Sequence, residues 1–152
     1  MTILKLSNEM KTVPMKPKYN SLREKIRAEK IERAERYAKF KIIWERAVEV
    51  GHKAAIEACP MPMVVKNVQT NEQWHVSEGA CGFARVHLVK GNTSFAHWAK
   101  KNAGFTKHYY GGLSLSVSAY NQSVERKTAF ADAVCEVLKS EGIDCYASSR
   151  LD

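Results

Sequence analysis

His75, Cys81 and His87 carry side chains that bind metals, and they recur at an even spacing. A structural zinc site takes four such ligands, usually in tighter pairs, and residues at these spacings on a hairpin need not share a face. They read as ordinary strand side chains, and no metal is expected. Glu125-Arg126-Lys127 has the E-x-K spacing of some metal-dependent nucleases. Those sites need an upstream acid as well, usually Asp, because Mg²⁺ prefers hard oxygen ligands. The first aspartate in this chain is Asp132, and only glutamates precede it. The tripeptide also falls at a helix start, where capping and solvated charge account for it.

Nucleophiles are no better organised. There is no G-x-S-x-G elbow, no P-loop and no G-x-G-x-x-G before a helix. Cys81 with His75 or His87 could be drawn as a thiolate pair, and Tyr109 or Tyr110 beside His108 as a nucleophile with a base. Nothing in the sequence orients either arrangement. No catalytic residue and no cofactor are assigned, and the chain leans away from an enzyme.

Binding chemistry is better represented. Leu113, Leu115, Val117 and Ala119 alternate strictly with Ser114, Ser116 and Ser118, the clearest strand pattern in the chain. With Ala84, Val86 and Leu88 turned inward on a neighbouring strand, Phe83, Arg85 and His87 face out. A last strand turns Cys145 and Ala147 in, and Tyr146 and Ser148 out. Aromatic, cationic and hydroxyl groups then share one open face, which is the chemistry of stacking bases and holding phosphates. Two blander readings stand beside this one. The face is solvated, as many antiparallel faces are, or Phe40 and Trp44 of the N-terminal helix cover it. A second group gathers in loops near strand ends: Lys90, Asn92, Lys100, Lys101, Lys107, Tyr109, Tyr110, Gln122, Arg126 and Lys127. Basic residues near helix N-termini at Thr93 and Ser123 suit a phosphate or carboxylate.

Charge adds a third surface. Net charge is +8. Residues 1–58 hold fourteen Lys and Arg against eight acidic residues, and residues 59–152 hold ten against eight. The positive field therefore belongs mainly to the N-terminal part and suits nucleic acid or an acidic protein face. Arg23, Arg27, Lys30, Arg33 and Arg36 carry it, sampling more than one side of a helix, with Glu24, Glu29, Glu32 and Glu35 between them. If nucleic acid is the partner, this helix is expected to carry most of the affinity. A solubility-promoting surface is the competing reading.

These residues must be positioned by one ordinary domain and a tail, which is all that 152 residues allow. Hydrophobic and charged fractions of 45% and 26% are those of a chain that buries a core. No apolar run reaches the roughly 18 residues of a membrane helix, and the first residues lack a secretion-signal layout. Cytoplasmic, with no membrane partner, is the expectation. Cys59, Cys81, Cys135 and Cys145 match no disulfide framework and read as reduced and structural.

Along the chain, residues 1–20 with Pro14 and Pro17 read as a flexible basic arm. From Ser21, a plausible N-cap, a long charged helix is expected to about residue 58, stopped by Pro60 and Pro62. At 1.5 Å per residue it would run about 57 Å, so it either breaks near Gly51 or projects. Residues 22–39 offer a thin apolar stripe, whereas Phe40, Ile43, Trp44, Ala47, Val48, Ala54 and Ala55 enrich the second half. The first half is expected to project and the second to dock. Strands follow at 73–78 and 82–89, paired through Gly79-Ala80-Cys81. Then come a short helix from Asn92 or Thr93, a turn-rich stretch over 102–112, and the 113–119 strand. A helix from Asn121 or Ser123 to Gly142 and a strand over 144–149 complete the chain. Residues 63–152 thus form a compact α+β domain, a two-layer β-β-α-β-α-β sandwich behind the long helix, with ferredoxin-like element order.

Gly82-Phe83-Ala84-Arg85-Val86, Asn92-Thr93-Ser94-Phe95, Tyr110-Gly111-Gly112, Tyr120-Asn121-Gln122-Ser123 with Arg126-Lys127, and Ser149-Arg150-Leu151-Asp152 resemble uncharacterised small accessory proteins of tailed bacteriophages. The resemblance covers the C-terminal seventy residues and not the long helix. It implies a factor working in the host cytoplasm on nucleic-acid machinery or against a defence factor, and it carries no activity with it. The leading expectation is a non-enzymatic binding protein that contacts nucleic acid or a nucleoprotein complex through its basic helix. The alternatives are an inhibitor binding an acidic host protein, and a small-ligand-binding or catalytic protein with its site at residues 107–112.

Overall fold

A computed structural model describes residues 21–152; the expected basic arm, residues 1–20, lies outside them. The chain divides into two units, one ending at Arg33 and one running from Ala34 to Asp152. Helix α1, Leu22–Glu57, spans that division. Ser21 caps it, its hydroxyl accepting from the Glu24 amide at 3.3 Å. The described part of the first unit contributes the opening turns of α1, whose Leu22, Ile26 and Ile31 are all exposed.

Within the second unit α1 continues unbroken through Gly51, where a break was one of the two options open from sequence. The reason lies in packing. A Cβ at residue 51 would meet Phe130 Cδ2 and Val134 Cγ2 at 2.8 Å, so the missing side chain lets two helices approach. That contact offsets the roughly 1 kcal/mol by which glycine weakens a helix interior. Ala47, Gly51 and Ala55 form the buried seam. Phe40 meets Phe95 edge-on, with ring centroids 5.3 Å apart, and Trp44 meets Phe105 at 5.5 Å. Such pairs add about 0.5–1.5 kcal/mol each beyond their burial. Phe40 and Trp44 therefore pack among the helices, and the outer sheet face is not what they cover.

The main sheet comprises β3 (Gly82–Leu88), β4 (Thr106–Lys107), β5 (Leu113–Ser116) and β6 (Cys145–Leu151), in the order β4-β5-β3-β6 and antiparallel throughout. Helix α2 (Ser94–Asn102) connects β3 to β4, and α3 (Val124–Ser140) connects β5 to β6. In each case one strand lies between the two that the helix joins, giving the split β-α-β pair of ferredoxin-like folds. Thr93 caps α2 by accepting from the Ala96 amide at 3.1 Å, and Ser123 caps α3. Ala84, Val86 and Leu88 join Phe95, Trp98, Phe105, Val134 and Leu138 in one core. The architecture is α+β, as expected.

Three differences from expectation have identifiable causes. The strand expected at 73–78 does not pair with β3. As β2 (Gln73–Val76) it pairs with β1 (Met63–Lys66) in a separate two-stranded sheet. β1 has only Met-Val-Val-Lys behind two prolines, too short to show a period. Its turn is local chemistry: Asn67 Oδ1 accepts from the amides of Gln69 and Thr70, and Asn71 takes a left-handed φ of 61°. The fourth strand of the main sheet is instead β4, two residues inside the expected turn-rich stretch. Finally, β5 ends at Ser116. Val117 still donates to the Ala84 carbonyl, but Ala119 is exposed rather than turned inward.

Candidate functional site

β3 is the central positioning element, paired along both edges. Its register with β6 sets His87 opposite Tyr146, Arg85 opposite Ser148 and Phe83 opposite Arg150, and with β5 it sets Ser116 beside Arg85 and Ser114 beside His87. Because side chains alternate across a strand, these residues share the face away from the three helices. Among them Phe83, Arg85, His87, Ser148 and Arg150, with His108 from the β4–β5 turn, line a cleft of about 230 Å³.

The outward orientation expected for Phe83, Arg85 and His87 holds, but His87 is not solvated. It is only 5% exposed. Tyr146 stacks on it with centroids 4.6 Å apart and planes at 11°, and His108 packs edge-on at 4.7 Å. Nε2 shares a 2.7 Å hydrogen bond with Ser148 Oγ, while Nδ1 is buried without a partner. Burial, then the charges of His108 and Arg85, hold the His87 imidazole below its ordinary pKa. Ser114 is also buried on this side, beside the imidazole.

Arg85 makes no hydrogen bond or ion pair among the described residues. The Arg150 guanidinium lies over the Phe83 ring, 5.2 Å from its centroid. Two permanent positive charges thus sit on this face, and among the described residues no carboxylate lines the cleft. The turn that delivers His108 depends on Gly112. The Gly112 carbonyl accepts from the His108 amide, φ is 69°, and a Cβ there would overlap the Leu88 carbonyl oxygen. Tyr109 and Tyr110, on the same turn, are 91% and 88% exposed.

The group expected in loops near strand ends is divided between opposite ends of the sheet. At the Leu88 end, Asn92, Lys100 and Lys107 line a shared surface hollow, and Lys101 lies in the last turn of α2. At the Gly82 end, Arg126 and Lys127 are engaged by the fold itself. Arg126 Nε binds Glu78 at 2.7 Å, and Nη1 donates to the last-turn carbonyls Ala55 and Ile56 of α1. Lys127 is 6% exposed and donates to the Gly82 carbonyl. Neither is on a loop; both lie in the first turn of α3, at the helix start on which the Glu125-Arg126-Lys127 tripeptide falls.

Arg23, Arg27, Lys30 and Arg33 are exposed on α1 and make no ion pair among the described residues, and Arg36 is exposed too. His75, Cys81 and His87 are not brought together. His75 is on β2, Cys81 bridges to Ser123, and His87 is on β3. Among the described residues no group of three or more His, Cys, Asp or Glu is placed to hold a metal ion, and no helix is long and apolar enough to cross a membrane.

Sequence reasoning missed three features. His108 reaches the sheet face through a two-residue strand that left no pattern. Arg150 belongs to β6, which runs past the 144–149 strand expected. The exposed apolar residues Val64, Val65 and Trp74 belong to the unforeseen β1–β2 hairpin. The signal for Arg150 was available, because the alternation of Tyr146 and Ser148 continues to it. Comparison of the chain with family models, curated proteins and solved structures finds no match.

Proposed function

We propose that this protein binds single-stranded nucleic acid on the outer face of its four-stranded sheet, as a binding factor rather than a catalyst. One observation carries the reading. Among the described residues Arg85 and Arg150 make no ion pair, and they stand beside Phe83 and Tyr146 on a sheet face that no described helix covers. Single strands are held where a cationic groove follows the backbone and aromatic rings accept unstacked bases. A four-stranded sheet with helices on one side and aromatics on the other is an architecture that serves single-stranded RNA, and fold-level analogy supports the same reading.

The basic start of α1 supports a second contact, with duplex nucleic acid or an acidic protein. Arg23, Arg27 and Lys30 follow one another at i, i+4 and i+7 along one side. The C-terminal likeness to phage accessory proteins fits either partner, with host cytoplasm as the setting.

Fluorescence anisotropy with single-stranded DNA, single-stranded RNA and duplex DNA of equal length tests the reading. Single strands should bind more tightly than duplex, with log K falling by about 0.7 per phosphate contact against log salt. Equal binding of duplex, or binding unchanged in an R85A/R150A variant, would move the site off the sheet.

A further inference from the structure

We infer that the cleft between β3, β6 and the His108 turn is a subsite for a phosphomonoester, the terminal phosphate of a strand or the phosphate of a free nucleotide. This rests on the nucleic-acid reading only for what carries the phosphate.

The charge in the cleft is larger than a backbone phosphate requires. A phosphodiester carries one negative charge, whereas a phosphomonoester carries about −1.5 to −2 near pH 7. Arg85 and Arg150 supply two permanent charges, with His87 and His108 beside them, and no carboxylate of the described residues lines the cleft. The mutual repulsion is already felt: His108 and Arg85 both act against a proton on His87. A dianion relieves that repulsion and favours a proton on His87.

Hydrogen-bonding capacity points the same way. His87 is buried and its ring lines the cleft, yet its Nδ1 has no partner. Buried polar atoms without partners are rare in folded proteins, and a bound ion is one of the causes that account for them. The Ser148 hydroxyl is within reach of the same ring, and guanidinium forks match phosphate oxygens in pairs. Size is restrictive. About 230 Å³ is below the roughly 300–1,000 Å³ of small-molecule pockets, so the cleft takes a charged group, and the rest of the ligand lies across Phe83 or Tyr146.

The experiment uses the whole chain and unmodified protein. Affinities are measured for a ten-nucleotide single strand with a hydroxyl at both ends, with a 5′-phosphate and with a 3′-phosphate. Nucleoside monophosphate and inorganic phosphate are titrated separately, while the ring signals of His87 and His108 are followed by NMR. One phosphorylated strand should bind about tenfold more tightly than the hydroxyl strand, the usual size of an added charge-assisted contact. Both imidazoles should shift. A response to nucleoside monophosphate with no gain from either end-phosphorylated strand assigns the site to free nucleotides. Equal affinity of all three strands, with both imidazoles unmoved by nucleotide and phosphate, overturns the subsite and leaves strand binding standing. If no strand binds but nucleotide moves both rings, the subsite holds and the nucleic-acid reading falls.

Discussion

Two surfaces of this chain are positive, and they are built on opposite plans. Over residues 22–36, six basic residues alternate with four glutamates on a solvated helix that presents no aromatic ring. The outer sheet face sets fewer permanent charges, Arg85 and Arg150, beside Phe83, Tyr146 and two imidazoles, and among the described residues no acid lines the cleft. The helix holds more charge, but glutamates are interspersed with it, whereas the same net excess of two stands on the sheet without an acid lining the cleft among the described residues. What decides a binding site is the local charge left unpaired, together with the shapes beside it. Net charge by segment locates the first surface and passes over the second.

Removing one surface while sparing the other is the strongest test. Gly112→Ala places a side chain where φ is 69° and the Leu88 carbonyl blocks it. It should lower stability by about 2–3 kcal/mol and withdraw His108 from the cleft, read by thermal melting and the His108 ring signals. Gly111→Ala is the control. Its φ is 102°, but its Cβ meets nothing within 4 Å, so only the backbone strain of about 1 kcal/mol remains. Equal losses from the two would show that the turn does not depend on the contact with β3.

Charge removal comes next in size. R85A/R150A should weaken single-strand binding at least tenfold, since hydrogen bonds to charged groups contribute about 1.5–3 kcal/mol each. R23A/R27A/R33A should instead flatten the salt dependence by about 0.7 per lost contact and leave single-strand preference intact. A reversed ranking would make the helix the principal arm. Between these two lies stacking: Phe83→Ala or Tyr146→Ala should each weaken single-strand binding by about 1–3 kcal/mol, with duplex binding little changed.

The smallest effect is on pH dependence. The His87 imidazole is held below its usual 6.5 by burial, then by His108 and Arg85. Arg85, His108, Tyr146, Ser148 and Ser114 face it. Below about pH 6.5 the unfolded chain takes a proton here that the folded one resists. The contribution is therefore complete above that pH and is lost as pH falls through the folded-state value. Between pH 7 and 5 the Tm should fall further in the wild type than in His87→Gln. Matching profiles would mean that His87 takes up protons as easily folded as unfolded.

Legibility in the sequence followed the length of each element. The helices were plain, because Ser21, Thr93 and Ser123 are local caps and Pro60 and Gly142 are local stops. The inward and outward sides of β3 could be read from Ala84, Val86 and Leu88. The pairing of strands could not be read. β4 is two residues long, and no period survives at that length, so 73–78 took its place in the expected sheet. The site was half legible for the same reason. Phe83, Arg85 and His87 follow from alternation on one strand, whereas His108 and Arg150 arrive from other strands through register. The environment of His87 was hidden altogether. A histidine at an outward position looks solvated until Tyr146 and His108 are known to lie against it.

The two-sidedness of β3 has a consequence for how the protein can vary. Core and cleft draw on alternate residues of one seven-residue strand, so selection acts on them through separate positions. Across a deep mutational library of Gly82–Leu88, tolerance should rise and fall with a period of two. Ala84, Val86 and Leu88 answer to folding, and Phe83 and Arg85 answer to the ligand. His87 breaks the rhythm, since it is outward yet enclosed, and it is the position where a change of ligand and a change of stability are inherited together.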